Sequence, residues 1–178
     1  DGFEINLWAA DPLLAKPTQI AFDPQGRLWV STSRTYPQLN VNQEPDDQII
    51  ILEDLDRDGA ADRSTVYYDN LLIPGGVLPD GNGGAYVAHA DELIHLKDDD
   101  GDLKADRKQI LLSGFGTEDT HHTLHRLRWG PDGLLYMLQG YYIGTHVETL
   151  HGPRRLNGGG LWYYNTRTRR LEIYSRGL

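Results

Sequence analysis

Hydrophobic and polar positions alternate in short bursts along the 178-residue chain, and Gly, Pro, Asn or Asp bounds most of the bursts. A period of two predicts half-buried strands rather than helices. The clearest burst is His122 to Leu138, HTLHRLRWGPDGLLYML, which reads as a strand, a tight turn at Gly130 to Gly133 and a returning strand. The same phrase occurs at Thr18 to Thr32, TQIAFDPQGRLWVST, and at Gly75 to His89, GGVLPDGNGGAYVAH. The turn glycines Gly26, Gly83 and Gly133 stand 57 and 50 residues apart, so one supersecondary unit recurs. Repeats of that length built from short strands predict propeller blades.

Each unit fills out to four strands. Blade 1, about 18–68, uses Thr18 to Asp23, Arg27 to Thr32, Gln48 to Glu53 and Ser64 to Tyr68. Blade 2, about 75–113, uses Gly75 to Pro79, Ala85 to His89, Glu92 to Lys97 and Lys108 to Ser113. Blade 3, about 124–175, uses Leu124 to Trp129, Leu134 to Gln139, Gly160 to Tyr164 and Leu171 to Ser175. Phe3 to Ala9 alternates as well and predicts one extra strand at 3–9. The predicted class is all-β, a partial β-propeller with about three four-stranded blades of a six-bladed ring, since rings close with about four to eight blades. A small orthogonal sandwich or barrel is the alternative. A half-ring would expose the apolar flanks of its end blades, so the chain reads as a segment of a larger protein. Its first expected partners are the remaining blades, in the same protein or another chain.

Composition narrows the function classes. With 39% hydrophobic residues, four Trp and ten Tyr, the chain has the profile of a folded domain. A net charge of −9 gives no basis for a nonspecific nucleic-acid surface, and no nucleic-acid partner is expected. Acidic clusters occupy 44–62 and 91–106, whereas arginines from Arg154 onward make the end of the chain basic. No run of eighteen apolar residues exists, so no transmembrane segment is predicted. The absence of Cys excludes disulfides, CxxCH haem attachment and thiolate metal sites within this chain. The Asp1-Gly2 start reads as a processed or trimmed end; if processed, the removed segment could be a secretion signal, and with the calcium-like loops a periplasmic or extracellular location is expected. Membrane association would come through sequence outside this chain.

Blade geometry then sorts the loops. Turns between first and second strands, and between third and fourth, share one side; the other connections share the opposite side. The long loops Ser33–Asp47 and Gly140–Gly159 therefore join the connection Gly114–Thr123 on one face, where a ligand site is expected. The acidic turns lie on the other face. Asp54, Asp56, Asp58 and Asp62 follow the i, i+2, i+4, i+8 spacing of the oxygen-rich half of a calcium loop, with Gly59 at its sixth position. Asp98, Asp100, Asp102 and Asp106 repeat it, with Leu103 in place of that glycine. Neither turn has the closing Glu of an EF-hand; Thr65 and Gln109 stand there. The spacing supports either a structural calcium or a hydrated acidic turn.

On the loop face His121, His122 and His125 precede and enter the first strand of blade 3. His122, with Asp119 three residues earlier to orient it, is the candidate proton acceptor. Ordinary turn histidines are the alternative. Arg34, Tyr36, Tyr141 and Arg154 could hold a polar ligand's carboxylates, carbonyls or hydroxyls. Gly158-Gly159-Gly160 lacks the context of a phosphate loop, and no Ser sits in a nucleophile elbow.

Taken together, GFEINLWAADPLLAKPTQIAFDPQGRLWVSTSRTYP, the acidic turns, HRLRWGPDGLLYM and NGGGLWYYN resemble the N-terminal propeller of the large membrane-bound dehydrogenase family of planctomycetes and verrucomicrobia. More distantly, the pattern is similar to soluble pyrroloquinoline-quinone-dependent glucose and sorbosone dehydrogenases. The resemblance implies a six-bladed-type propeller, often followed by helical repeats and a cytochrome c domain or other electron acceptor. It implies pyrroloquinoline quinone and calcium as cofactors and a sugar or polyol as substrate. It also places the catalytic base at His122, shortly before the strand that leads into Gly130-Pro131-Asp132. The alternative function is a noncatalytic, calcium-stabilised propeller module that binds a glycan or a partner protein.

Overall fold

Residues 2–177 are described in the computed structural model, in which the alternating segments form three four-stranded antiparallel sheets. The first sheet runs β1 (Pro17–Phe22), β2 (Leu28–Thr32), β3 (Asp47–Glu53) and β4 (Arg63–Leu71), each beside the next. The second repeats that order with β5 (Gly76–Pro79), β6 (Gly84–His89), β7 (Glu92–Lys97) and β8 (Arg107–Ser113). In the third, β9 (His125–Trp129) and β10 (Leu135–Gln139) are followed by a separate hairpin, β11 (Gly144–Val147) and β12 (Arg154–Asn157), before β13 (Gly160–Asn165) and β14 (Arg170–Arg176) complete the blade. The chain is thus an all-β, open propeller-like arc of three blades.

Local chemistry sets the first turn of each blade. Gly26, Gly83 and Gly133 adopt φ of 82°, 78° and 75°, the left-handed conformation that a tight turn needs and other residues resist. Asp23 closes the first turn by accepting the amides of Gln25 and Arg27 on Oδ1, and the Trp29 indole on Oδ2. Asp80 repeats this with the amides of Asn82 and Gly84, and its Oδ2 meets the His95 ring at 2.9 Å. Burial alone would raise the Asp80 carboxyl, but the His95 contact and the two amides outweigh it and hold it at about 2.

The core lies between blades. Trp29, Ile49 and Ile51 of the first blade pack on Val77, Val87 and Ile94 of the second. Leu93 and Leu112 of the second pack with Leu127, Met137 and Trp162 of the third. The Tyr67 hydroxyl spans the first joint by donating to the Gly83 carbonyl at 2.9 Å. At the inner edge, Gln19 of β1 donates to the carbonyls of Val77 in β5 and Leu127 in β9, and accepts the Leu127 amide. One side chain therefore ties the innermost strands of all three blades. Glycine allows the approach: a Cβ on Gly75 would lie 2.1 Å from the Leu124 carbonyl oxygen.

Two expectations change. Phe3 to Ala9 forms no strand among the described residues, because no strand lies beside it to complete a ladder. The end of that stretch is anchored, by the bond from the Ala61 amide to the Trp8 carbonyl at 2.7 Å and by Trp8 and Ala9 packing on the blade 1 core. The loop from Gly140 to Gly159, read as irregular, folds into the β11–β12 hairpin. Among the described residues no helix is long and apolar enough to cross a membrane.

Candidate functional site

The innermost strands converge, and on their loop-bearing face they leave a cavity of about 420 Å³ whose walls include Lys16, Thr18, Ser33, Tyr36, His121 and His125. Its rim is latched across the arc. Tyr36, on the loop between β2 and β3, meets His121 edge-to-face at 5.3 Å, and its hydroxyl hydrogen-bonds His121 Nδ1. Beside that pair, the Thr120 hydroxyl donates to the Pro37 carbonyl at 2.7 Å. The loop of blade 1 and the connection into blade 3 are therefore one wall.

His125, at the start of β9, donates from Nδ1 to the Thr123 carbonyl at 2.6 Å. A carbonyl only accepts, so the neutral ring carries its proton on Nδ1 and leaves Nε2 as an acceptor.

His122 turns the other way. It does not line that cavity; its ring packs edge-on against Tyr142 at 5.2 Å. Its Nδ1 lies 3.1 Å from Asp119 Oδ2, beside the carboxylate yet not aligned as a hydrogen bond. The backbone holds the histidine in place: the Gly140 amide donates to the His122 carbonyl, and a Cβ on Gly140 would fall 2.5 Å from the imidazole. Asp119 also accepts the His121 amide, and that bond, followed by proximity to His122, holds its carboxyl below the usual range.

Of the four ligand-binding candidates, Tyr36 alone lines this cavity. Arg34 is exposed at the same loop, its carbonyl accepting from Lys16 Nζ at 3.3 Å. Tyr141 packs on Tyr142, next to His122. Arg154 is committed elsewhere, in a two-point pair with Glu172 at 2.8 and 2.9 Å. That pair, with Arg170, holds the Glu172 carboxyl at about 2. Sequence reasoning passed over Lys16 and Thr18 at the start of β1 and Thr120 in the connection before β9, since single polar residues there carry no motif. Lys16 has one backbone signature, a φ of 43°, which a sequence does not display.

The acidic turns lie on the opposite face. Carboxylate oxygens of Asp54, Asp56 and Asp58 come within 4.8 Å of one another, as do those of Asp98, Asp100 and Asp106. Asp62 and Asp102 are outside these groups; Asp62 Oδ2 accepts the Leu55 amide, and Asp102 Oδ1 accepts the Lys104 amide. The two turns share one backbone course, with Leu103 at φ 67° where Gly59 has φ 90°. Leu103 packs against the core between blades 1 and 2, which offsets the strain of that conformation. Both clusters are all-oxygen donor sets able to coordinate a hard cation.

The chain belongs to the family described as "Domain of unknown function (DUF7133)", whose model matches residues 1–177. No curated protein matches it. Among solved structures it is similar to a protein of Bacteroides uniformis ATCC 8492 provisionally assigned as a 6-phosphogluconolactonase, at 14% identity and a TM-score of 0.42. The match covers 89% of this chain and 53% of that one, so the chain spans about half the length of that structure.

Proposed function

We propose that this member of the DUF7133 family is the propeller portion of a dehydrogenase acting on a sugar or polyol hydroxyl, with His122 as proton acceptor. The observation that carries the reading is the pair of Asp119 and His122, 3.1 Å apart on the loop-bearing face beside Tyr141 and Tyr142. A carboxylate beside Nδ1 favours the proton on that nitrogen and leaves the Nε2 lone pair for substrate. Nε2 takes the proton from the hydroxyl oxygen as hydride leaves the carbon that bears it for the acceptor, and a carbonyl forms. The exposed faces of Tyr141 and Tyr142 offer the apolar side of a sugar ring a surface to lie on.

The hydride acceptor on this reading is of the pyrroloquinoline-quinone class, a tricarboxylate. The residues here do not make its seat: among the described residues Lys16 is the one Lys or Arg lining the Tyr36–His125 cavity, and Arg154 is neutralised by Glu172. Arg34 and Tyr36 could contribute one edge, so the seat has to be completed outside this arc. Electrons would pass on to a cytochrome c domain or another acceptor. In the natural full-length protein supplied with quinone and calcium, dye reduction by aldoses or polyols is expected. His122→Asn should lower kcat by about 100-fold or more with little change in KM, the usual scale for losing a positioned base. Absence of quinone binding, or loss of turnover with His125→Asn but not with His122→Asn, would overturn the reading.

The acidic turns fit equally a second reading, a noncatalytic propeller module that binds a glycan or partner protein and uses calcium only for stability. Asp54, Asp56 and Asp58, and Asp98, Asp100 and Asp106, would hold the ions. Calcium at about 100 times its Kd should then raise Tm by roughly 5–10 °C for each ion bound. The double variant Asp56→Asn/Asp100→Asn should abolish the rise, and an unchanged melting curve with calcium would eliminate the ion from either reading.

A further inference from the structure

We infer that Phe3–Ala9 is the outermost strand of a further blade, and that it pairs with a three-stranded antiparallel sheet, lacking its own outer strand, elsewhere in the natural full-length protein. The inference stands on a register that the chain displays twice. Where blade 1 meets blade 2, the Ala105 amide at the end of the acidic turn donates to the Tyr67 carbonyl in β4 at 2.9 Å. On the free side of blade 1, the equivalent Ala61 amide donates to the Trp8 carbonyl at 2.7 Å. Trp8 stands nine residues before the start of β1, as Tyr67 stands nine before the start of β5.

The packing repeats as well. Tyr67 joins a cluster that includes Ala85, Val87, Ile94 and Leu96, with Ala105 at its margin. Trp8 packs on Leu28, Val30, Ile50 and Leu52, with Ala61 at its margin. Each of these is the positional counterpart in the neighbouring blade, so Phe3–Ala9 occupies the place of a preceding blade's β4. Its other apolar side chains are correspondingly bare: Phe3, Ile5 and Leu7 are 98%, 97% and 78% exposed and alternate along the segment. Alternation with no partner strand is what an outer strand looks like before its sheet is supplied.

The occupant is therefore defined chemically. It is the free edge of a third strand, offering backbone donors and acceptors at strand spacing, with an apolar surface to cover Phe3, Ile5 and Leu7. Blade 3 cannot fill this role in a second copy, because β14 already occupies the outer edge beside β13.

Hydrogen exchange followed by mass spectrometry on the natural full-length protein tests the pairing. Amides from Phe3 to Leu7 should exchange at least about 100-fold more slowly there than in the 178-residue chain alone, as ladder protection requires. Ile5→Pro, which removes a ladder donor, should lower Tm of the full-length protein by about 5 °C and leave that of the 178-residue chain unchanged. Equal, fast exchange in both proteins would overturn the inference. So would protection that rises with protein concentration together with a larger mass in solution, since the partner would then be another molecule.

Discussion

Gln139→Ala is expected to cost about 4 kcal/mol in urea unfolding, because it strands several buried polar groups at once. Gln139 ends β10 at 2% exposure. Its Nε2 donates toward the carbonyls of Gly158, Leu156 and Ile143 at 2.9, 3.2 and 3.4 Å. Its Oε1 accepts the Thr145 hydroxyl at 2.6 Å and the Trp162 indole at 3.1 Å. Truncation leaves that indole, fully buried, with no acceptor, and frees the β11–β12 hairpin from the blade on which it rests. Gln139→Glu separates polarity from packing: the carboxylate keeps the size and the acceptors but cannot donate to three carbonyls. It should be nearly as damaging as the alanine. A loss below about 1 kcal/mol for both would show that water replaces the amide without penalty.

The same residue links stability to the site. The hairpin bonds to the connection that carries the histidines: the Gly116 amide donates to the Thr145 hydroxyl, the His146 amide to the Gly114 carbonyl, and the Gly144 amide to Glu118. A hairpin released by Gln139→Ala therefore loosens the segment from Gly114 to His122. Exchange protection in that segment should fall before the rest of the blade opens.

Strands and turns were legible in the sequence because their causes are local. The apolar run Ile49 to Leu52, and the Gly-bearing turns at Gly26, Gly83 and Gly133, act within a few residues. The faces followed from strand order alone. The hairpin within the long loop of blade 3 was not legible: Gly144–Val147 and Arg154–Asn157 are short, half polar and stabilised by Gln139, a residue outside both. Phe3–Ala9 shows the converse. Its pattern is that of a strand, yet pattern only specifies a face, and a ladder needs a neighbour. The histidines were legible as a cluster but not in direction, since His121 faces the cavity with Tyr36 while its neighbour His122 faces Asp119 and Tyr142. Arg154 was misleading for a related reason. Its partner Glu172 lies on a different strand, and that contact arises only in the folded chain.

Asp47→Ala is expected to be almost as costly, about 3 to 4 kcal/mol, and to strike the blade 1 half of the same wall. The side chain is fully buried at the start of β3. Oδ2 accepts the Ser33 hydroxyl at 2.8 Å and the Ile73 amide at 2.7 Å, while Oδ1 accepts the Thr35 amide at 2.9 Å. Ser33 Oγ in turn accepts the Tyr36 amide at 3.0 Å, so one carboxylate fixes the loop that presents Tyr36. Through Ile73 it also fixes the turn from β4 into β5, where Ile73 itself holds φ 43°. Alanine leaves three donors facing a space with no acceptor. Asparagine is the sharper variant: it keeps the volume, but its NH₂ group must oppose at least one backbone amide, so about 2 kcal/mol should be lost. Chemical denaturation of both variants gives the magnitudes, and exchange at residues 33–36 reports whether the Tyr36 loop opens with them. Equal stability of Asp47→Asn and the parent would mean that the carboxylate is not what holds Ser33, Thr35 and Ile73 together.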